Sequence, residues 1–214
     1  MARGKMNLGL FIRPCGHHIA GWRHPDCAAD AGENFQHFVE MAQLAERGLF
    51  DMLFSADSHT SWTVSESAID LVHYVTWMEP WTLLSALSQH TKRIGLVCTA
   101  STTFEHPFSV ARQFASLDVL SGGRCGWNVV TSGNETEALN FSDVPHLPKA
   151  ERYKRAREFV DVVRALWDSW DAASPRWRGS WPAHWACPSA TPTRCWSSGW
   201  ACRSRSTSPA TARP

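Results

Sequence analysis

The sequence predicts an α/β fold of consecutive strand–helix units, and three observations carry that prediction. Apolar runs begin near residues 6, 51, 93 and 124, and each is followed by a segment with apolar side chains at helical spacing. The runs are nearly continuous rather than alternating, as strands of a parallel sheet covered on both faces are. Both a doubly wound sheet and a (β/α)8 barrel satisfy this order of elements. At about 40 residues per unit, the 214 residues hold only half of a barrel, which usually needs roughly 250 residues.

Each element has a local reason. The first strand is the apolar run 6–12, bounded by Pro14 and Gly16. The first helix, 34–49, sets Phe35, Phe38, Val39, Ala42, Leu44, Ala45 and Leu49 on one face. Strand two, 51–57, ends in polar residues. A helix starting at Pro80 and running to 89 turns Leu83, Leu84 and Leu87 inward, and strand three is 93–101. Pro107 sits in the first turn of the helix 108–120, where a missing N–H costs nothing. Strand four is 124–131, and the last helix, 151–170, presents Tyr153, Phe159, Val160, Val163, Leu166 and Trp167 on its inner face.

Composition narrows the function classes. The net charge of +1 conceals an asymmetry, because six of the 21 Lys and Arg but one of the 20 Asp and Glu lie in 171–214. Residues 1–170 therefore carry 15 basic and 19 acidic side chains, a net of −4, which speaks against nucleic acid as a partner. The apolar run after Lys5 is too short for a signal peptide or a membrane span, so a cytoplasmic protein with no membrane partner is expected. Seven cysteines form no CxxC pair and read as free thiols rather than zinc ligands.

The segment 171–214 contains no Leu, Ile, Val, Phe or Met and consists mainly of Ala, Ser, Arg, Pro, Trp, Thr and Cys. No core can be built from it, so it reads as disordered or as the product of a reading-frame shift in GC-rich DNA. Joining the last base of each codon to the first two of the next turns Trp185 and Trp196 into Leu and Ala186 into Gly. The shifted frame thus permits a glycine-containing segment followed by an apolar strand.

Ligands of parallel α/β folds meet the C-terminal strand ends. Collected there are His17, His18, Trp22, Arg23 and His24 after strand one, and Asp57, Ser58 and His59 after strand two. Thr99, Ser101, Thr102 and Thr103 follow from strand three, and Asn128, Thr131 and Ser132 from strand four. Each also has a plain reading: Asp57 caps its own loop, the threonines satisfy backbone groups, and the histidines lack a carboxylate at ligand spacing. The glycines of SGGRCGWNVVTSGN precede their strand and match no phosphate-binding pattern, so they make the helix-to-strand turn. No Ser-His-Asp or Cys-His set is arguable.

Taken together, GHHIAGWRHPD (16–26), AERGLFDMLFSADS (45–58), EPWTLLSAL (79–87), RIGLVCTASTTFEHPFSVARQFASLDVLSGGRCGWNVVTS (93–132), EALNFS (137–142) and ERYKRAREFVDVVRALWDSW (151–170) resemble component A of the nitrilotriacetate monooxygenase family. That family is a branch of the luciferase-like flavin-dependent monooxygenases, and the resemblance spans 6–170. It implies a (β/α)8 barrel of which roughly four βα units are present, with 1–170 as its N-terminal half. It also implies oxygenation of a small organic substrate by O2 and reduced FMN, supplied by a separate NAD(P)H:flavin reductase, in a protein that is a homo-oligomer at full length.

By the same resemblance Asp57, Thr102, Thr103, Asn128, Ser132 and Tyr153 line the flavin, and His17, Trp22 and Arg23 lie near the substrate. Where relatives carry His four residues before the Tyr, this chain has Lys149, with His146 further back. The family holds the FMN phosphate in the second half of the barrel, so this chain is expected to bind FMN weakly or not at all. Two other readings are a non-catalytic flavin-binding or pairing subunit and a deazaflavin-dependent oxidoreductase of the same superfamily; the long SGGRCGWNVVTS match disfavours the latter.

Overall fold

The strands lie side by side in the order in which the chain makes them. The computed structural model describes residues 6–18, 20–28, 30–61 and 78–169, together with the backbone of Trp200–Ala201. Within these, β1 (Gly9–Phe11), β2 (Met52–Ser55), β3 (Gly95–Ser101) and β4 (Cys125–Val130) are parallel neighbours in sequence order. A doubly wound sheet reverses its strand order at a switch point, whereas unbroken sequential order turns every crossover the same way. The arrangement is therefore that of part of a barrel.

Residues of alternate parity face opposite sides of the sheet. Leu53, Leu96, Cys98, Ala100, Cys125 and Trp127 point to the helices and join one buried core with Phe38, Leu84, Val110, Phe114, Phe159 and Val163. The opposite face carries the row Phe11, Phe54, Val97 and Gly126, and next to it Thr99 and Asn128. On that face Met52, Phe54, Gly126 and Asn128 are only half-buried. Cover on both faces, expected from the continuous apolar runs, is thus seen in full only for β3, all seven residues of which are buried.

The helices start where their caps dictate. In α1 (Phe35–Arg47), Asn34 accepts from the His37 amide, and in α2 (Pro80–Ser88), the Glu79 carboxylate accepts from Trp81 at 2.7 Å and Thr82 at 2.8 Å. The helix α3 (Pro107–Ser121) ends at Gly122 and Gly123, both left-handed at φ 69° and 87°, and the Gly123 amide closes on the Asp118 carbonyl at 2.8 Å. That is the turn expected from the glycine cluster. The helix α4 (Lys149–Asp168) packs on α3, the Trp167 indole donating to the Ala111 carbonyl at 2.9 Å.

Several expected details differ. The first strand shrinks from 6–12 to three residues, because it pairs only with β2 on one side and Met6 is 80 % exposed. In α1 the buried stripe is Phe38, Val39, Ala42 and Ala45; Leu44 lies off it and Leu49 beyond the helix end, so both are exposed. Burial in α4 begins at Ala156, leaving Tyr153 exposed ahead of the packed stretch. The expectations for 171–214, and Trp170, lie outside the described residues, apart from the backbone of β5 (Trp200–Ala201), which pairs antiparallel with β4.

Candidate functional site

The C-terminal ends of the four parallel strands open onto one rim, and the hydroxyls there are organised by their neighbours. On the inner face Asn128 donates to Thr99 Oγ1 at 3.0 Å, and Thr99 in turn donates to the Ser55 carbonyl at 2.9 Å. That chain of hydrogen bonds crosses β4, β3 and β2. Beyond it Thr102 is fully buried and donates to the Val130 carbonyl, while Thr103 donates to the Thr131 carbonyl at 2.9 Å. The plain reading of the threonines as backbone-satisfying hydroxyls holds for both.

Ser101 and Ser132 share a 2.8 Å hydrogen bond between side chains. Ser101 Oγ already accepts from the Thr103 and Phe104 amides, and Ser132 helps to hold the Glu137 carboxyl below its usual value. With both its lone pairs taken, Ser101 donates to Ser132. Ser132 itself sits in left-handed backbone at φ 50°, a conformation that a non-glycine residue keeps only when its surroundings hold it there.

Asp57 follows β2, half-buried, and caps the next amide: Ser58 N–H donates to its Oδ1 at 2.9 Å. Burial pushes its carboxyl above the ordinary value, against the pull of nearby His59. The Ser58 hydroxyl is buried without a hydrogen-bond partner. His59 lies between two acids: its Nε2 is 3.1 Å from Glu105 Oε1 and its Nδ1 3.5 Å from Glu137 Oε2. These carboxylates raise its pKa to about 9 despite burial. Glu137, pushed up by burial, is brought below its usual value by His59, Ser132 and backbone amides.

Sequence reasoning reached Asp57, Thr102, Thr103, Asn128 and Ser132 through strand ends, and the structure brings these onto the rim. It named His59 there but missed Glu105 and Glu137. Glu105 follows β3, and Glu137 lies in the short 3-10 helix 135–140 after β4, 78 residues from His59. No local spacing signals such a pair. His146, noted only as an offset, turns back to the rim: its Nε2 donates to the Ser132 carbonyl at 2.7 Å and its ring stacks on Phe104. Lys149 is exposed at the start of α4. Tyr153 stands one turn further on, exposed, near Arg155, whose Nε donates to the Thr102 carbonyl at 3.0 Å.

The residues expected near the substrate lie after β1. His17 packs edge-on against Phe11 at 4.7 Å, and Phe11 meets Phe54 at 4.8 Å, so an aromatic chain runs from His17 to the inner sheet face. Trp22 and Arg23 form an exposed 3-10 turn, the guanidinium 5.9 Å from the Trp22 ring. Among the described residues no group of three or more His, Cys, Asp or Glu is placed to hold a metal, and no helix is long and apolar enough to cross a membrane.

Comparison with known proteins gives this geometry a lineage. The chain is 54 % identical over 167 residues to N-acetyl-S-(2-succino)cysteine monooxygenase of Bacillus subtilis (strain 168), covering 78 % of this chain and 37 % of that protein. It is 43 % identical over 175 residues to nitrilotriacetate monooxygenase component A of Aminobacter aminovorans, at 78 % and 39 % coverage. Among solved structures, a riboflavin lyase with modified FMN and riboflavin superposes with a TM-score of 0.68 at 34 % identity, over 77 % of this chain and 38 % of that one. The chain thus spans about two-fifths of the length of the relatives it matches, which agrees with the part of a barrel seen here. Residues 15–194 match the luciferase-like monooxygenases, and the chain belongs to that family.

Proposed function

We propose that this chain is the ring-holding half of the oxygenase component of a two-component FMNH2-dependent monooxygenase. It would act in the cytoplasm on a small organic substrate with O2, with reduced FMN supplied by a separate NAD(P)H:flavin reductase, and as a homo-oligomer at full length. The observation that carries the reading is the convergence of Asp57, Asn128, Thr103 and Ser132 at the ends of parallel strands, in a chain of this family.

The donor set suits a flavin ring. One edge of an isoalloxazine offers both an N–H and carbonyl oxygens, and the rim holds both kinds of complement: the Asp57 carboxyl, the Asn128 amide and the unpartnered Ser58 hydroxyl. Thr103 and Tyr153 would complete the ring contact, with Thr102, fully buried on the Val130 carbonyl, supporting the rim from behind. Bound reduced flavin supplies the oxygen-activating chemistry, which is the cofactor's own. The chain's part is to orient the ring and, through Phe11, Phe54 and Val97, to exclude water from the sheet side. His17, Trp22 and Arg23 would face the substrate.

A second reading, a non-catalytic flavin-binding or pairing subunit, draws on the short span of the chain relative to its relatives. Binding of lumiflavin, a flavin ring without ribityl phosphate, tests what the two readings share. Fluorescence quenching should show saturable binding weakened at least tenfold by Asp57→Ala and by Asn128→Ala; unchanged affinity in both variants would remove the rim as the ring site. NADH consumption coupled to substrate oxygenation, with added reductase, then separates oxygenase from binder.

A further inference from the structure

Three loops meet at His59. It belongs to the loop after β2, Glu105 to the loop after β3, and Glu137 to the 3-10 helix after β4. The imidazole hydrogen-bonds Glu105 through Nε2 at 3.1 Å, while Nδ1, without a hydrogen-bond partner, lies 3.5 Å from Glu137 in an ion pair. A neutral imidazole with its proton on Nε2 would leave the Nδ1 lone pair 3.5 Å from a carboxylate; the imidazolium puts positive charge beside both acids. The Glu137 side chain is 5 % exposed, and a buried carboxylate needs a counter-charge.

The backbone repeats the pairing. The His59 amide donates to Glu137 Oε2 at 3.3 Å, the Asn140 amide group donates to the His59 carbonyl, and the Thr136 hydroxyl donates to that of Thr60 at 3.2 Å. Phe104 and Phe141, stacked 4.5 Å apart, meet the imidazole edge-on at 5.7 and 5.0 Å. The groups facing His59 are thus Asp57 on its own loop, Glu105 and Phe104 from β3, and Glu137 and Phe141 from beyond β4, with His146 behind Phe104. Without the imidazolium, three acids would face one another.

We infer that His59, as an imidazolium bridging Glu105 and Glu137, is a positioning residue that locks the Asp57 loop onto the loops after β3 and β4. Glu137 carries the lock onward, since its carboxylate is also stabilised by Ser132. The inference rests on the reading of Asp57 and Ser132 as the flavin-facing rim only for its purpose, since the lock itself is measurable without flavin.

The test uses the 214-residue chain. NMR titration of the His59 ring should give a midpoint near 9, falling in Glu105→Gln and in Glu137→Gln. Amide hydrogen exchange, corrected for intrinsic rates, should show residues 57–60 and 135–141 opening at least tenfold more in His59→Gln than in wild type at pH 7. The wild type should approach that level above pH 9, while the variant's opening stays flat with pH. A packing role alone would give no such pH profile. A His59 ring neutral at pH 7, or protection of both segments unchanged in His59→Gln, overturns the lock. Lumiflavin affinity, expected to fall tenfold in His59→Gln, separates the two ideas: wild type that binds no lumiflavin defeats the flavin reading, with the lock still judged by titration and exchange. Binding that is equal in wild type and variant defeats the positioning role.

Discussion

Ser101 and Ser132, at the ends of β3 and β4, are joined by a 2.8 Å hydrogen bond between buried hydroxyls. Ser132 holds left-handed backbone there. Replacing it with Ala removes that hydrogen bond. Ser132→Ala should lower stability by about 1 kcal/mol in urea denaturation. Ser132→Gly, which relieves the backbone but loses the same hydroxyl, should recover part of that loss.

Arg124 is the tie at the opposite end of the sheet. Its guanidinium donates to the carbonyls of Ser121, Ile94, Ser88 and Thr91 and to the Thr91 hydroxyl, joining β4 to the turns that enter β3. Arg124→Met keeps the stem but orphans these acceptors. A loss of roughly 2–4 kcal/mol is expected, with Arg124→Lys falling between because a point charge cannot reach five acceptors. Thermal unfolding that left Arg124→Met at the wild-type midpoint would contradict this role.

Stability should form a plateau in mildly acidic solution. Burial pushes Glu46 up, but the amides of Ile94, Arg93 and Lys92 outweigh it and leave its pKa lowered. Its contribution is therefore full above the unfolded value of 4.5 and fades as pH falls through the lower folded one. His59 behaves oppositely: its pKa rises from 6.5 to about 9, so its contribution is full below 6.5 and is lost between 6.5 and 9. The alkaline loss is on the order of 2–4 kcal/mol. Glu46→Gln should flatten the acid limb and His59→Gln the alkaline one; a pH-independent denaturation midpoint from 4 to 10 would reject both.

Ring and phosphate should be separable in flavin binding. Equilibrium dialysis is expected to show FMN bound with a Kd weaker than micromolar, and lumiflavin bound within about threefold of FMN. Sub-micromolar FMN affinity with much weaker lumiflavin would mean that this chain holds the phosphate as well.

Much of this site was legible because parallel strands place their ends together. Once 51–57, 93–101 and 124–131 were read as strands, Asp57, Thr102, Thr103, Asn128 and Ser132 had to fall on one rim. Glu105 and Glu137 were not legible, since neither ends a strand and their meeting at His59 depends on loops whose path no periodicity encodes. Leu44 shows the same limit within one helix. It is as apolar as the residues that are buried, and only the angle at which α1 meets the sheet leaves it in water, while Leu49 falls past the helix end.

By itself the sequence determined the repeated strand–helix order, the capped helix starts and the glycine turn at 122–123, because each depends on neighbours a few residues apart. Its long motifs also carried the family. The family resemblance implied part of a barrel, and the tertiary structure showed the unbroken sequential strand order that excludes a doubly wound sheet, since strand order is a matter of which edges pair across the fold. The tertiary structure alone made His59 the junction of three loops, because the charge of an imidazole is set by the carboxylates that packing brings to it, 46 and 78 residues away.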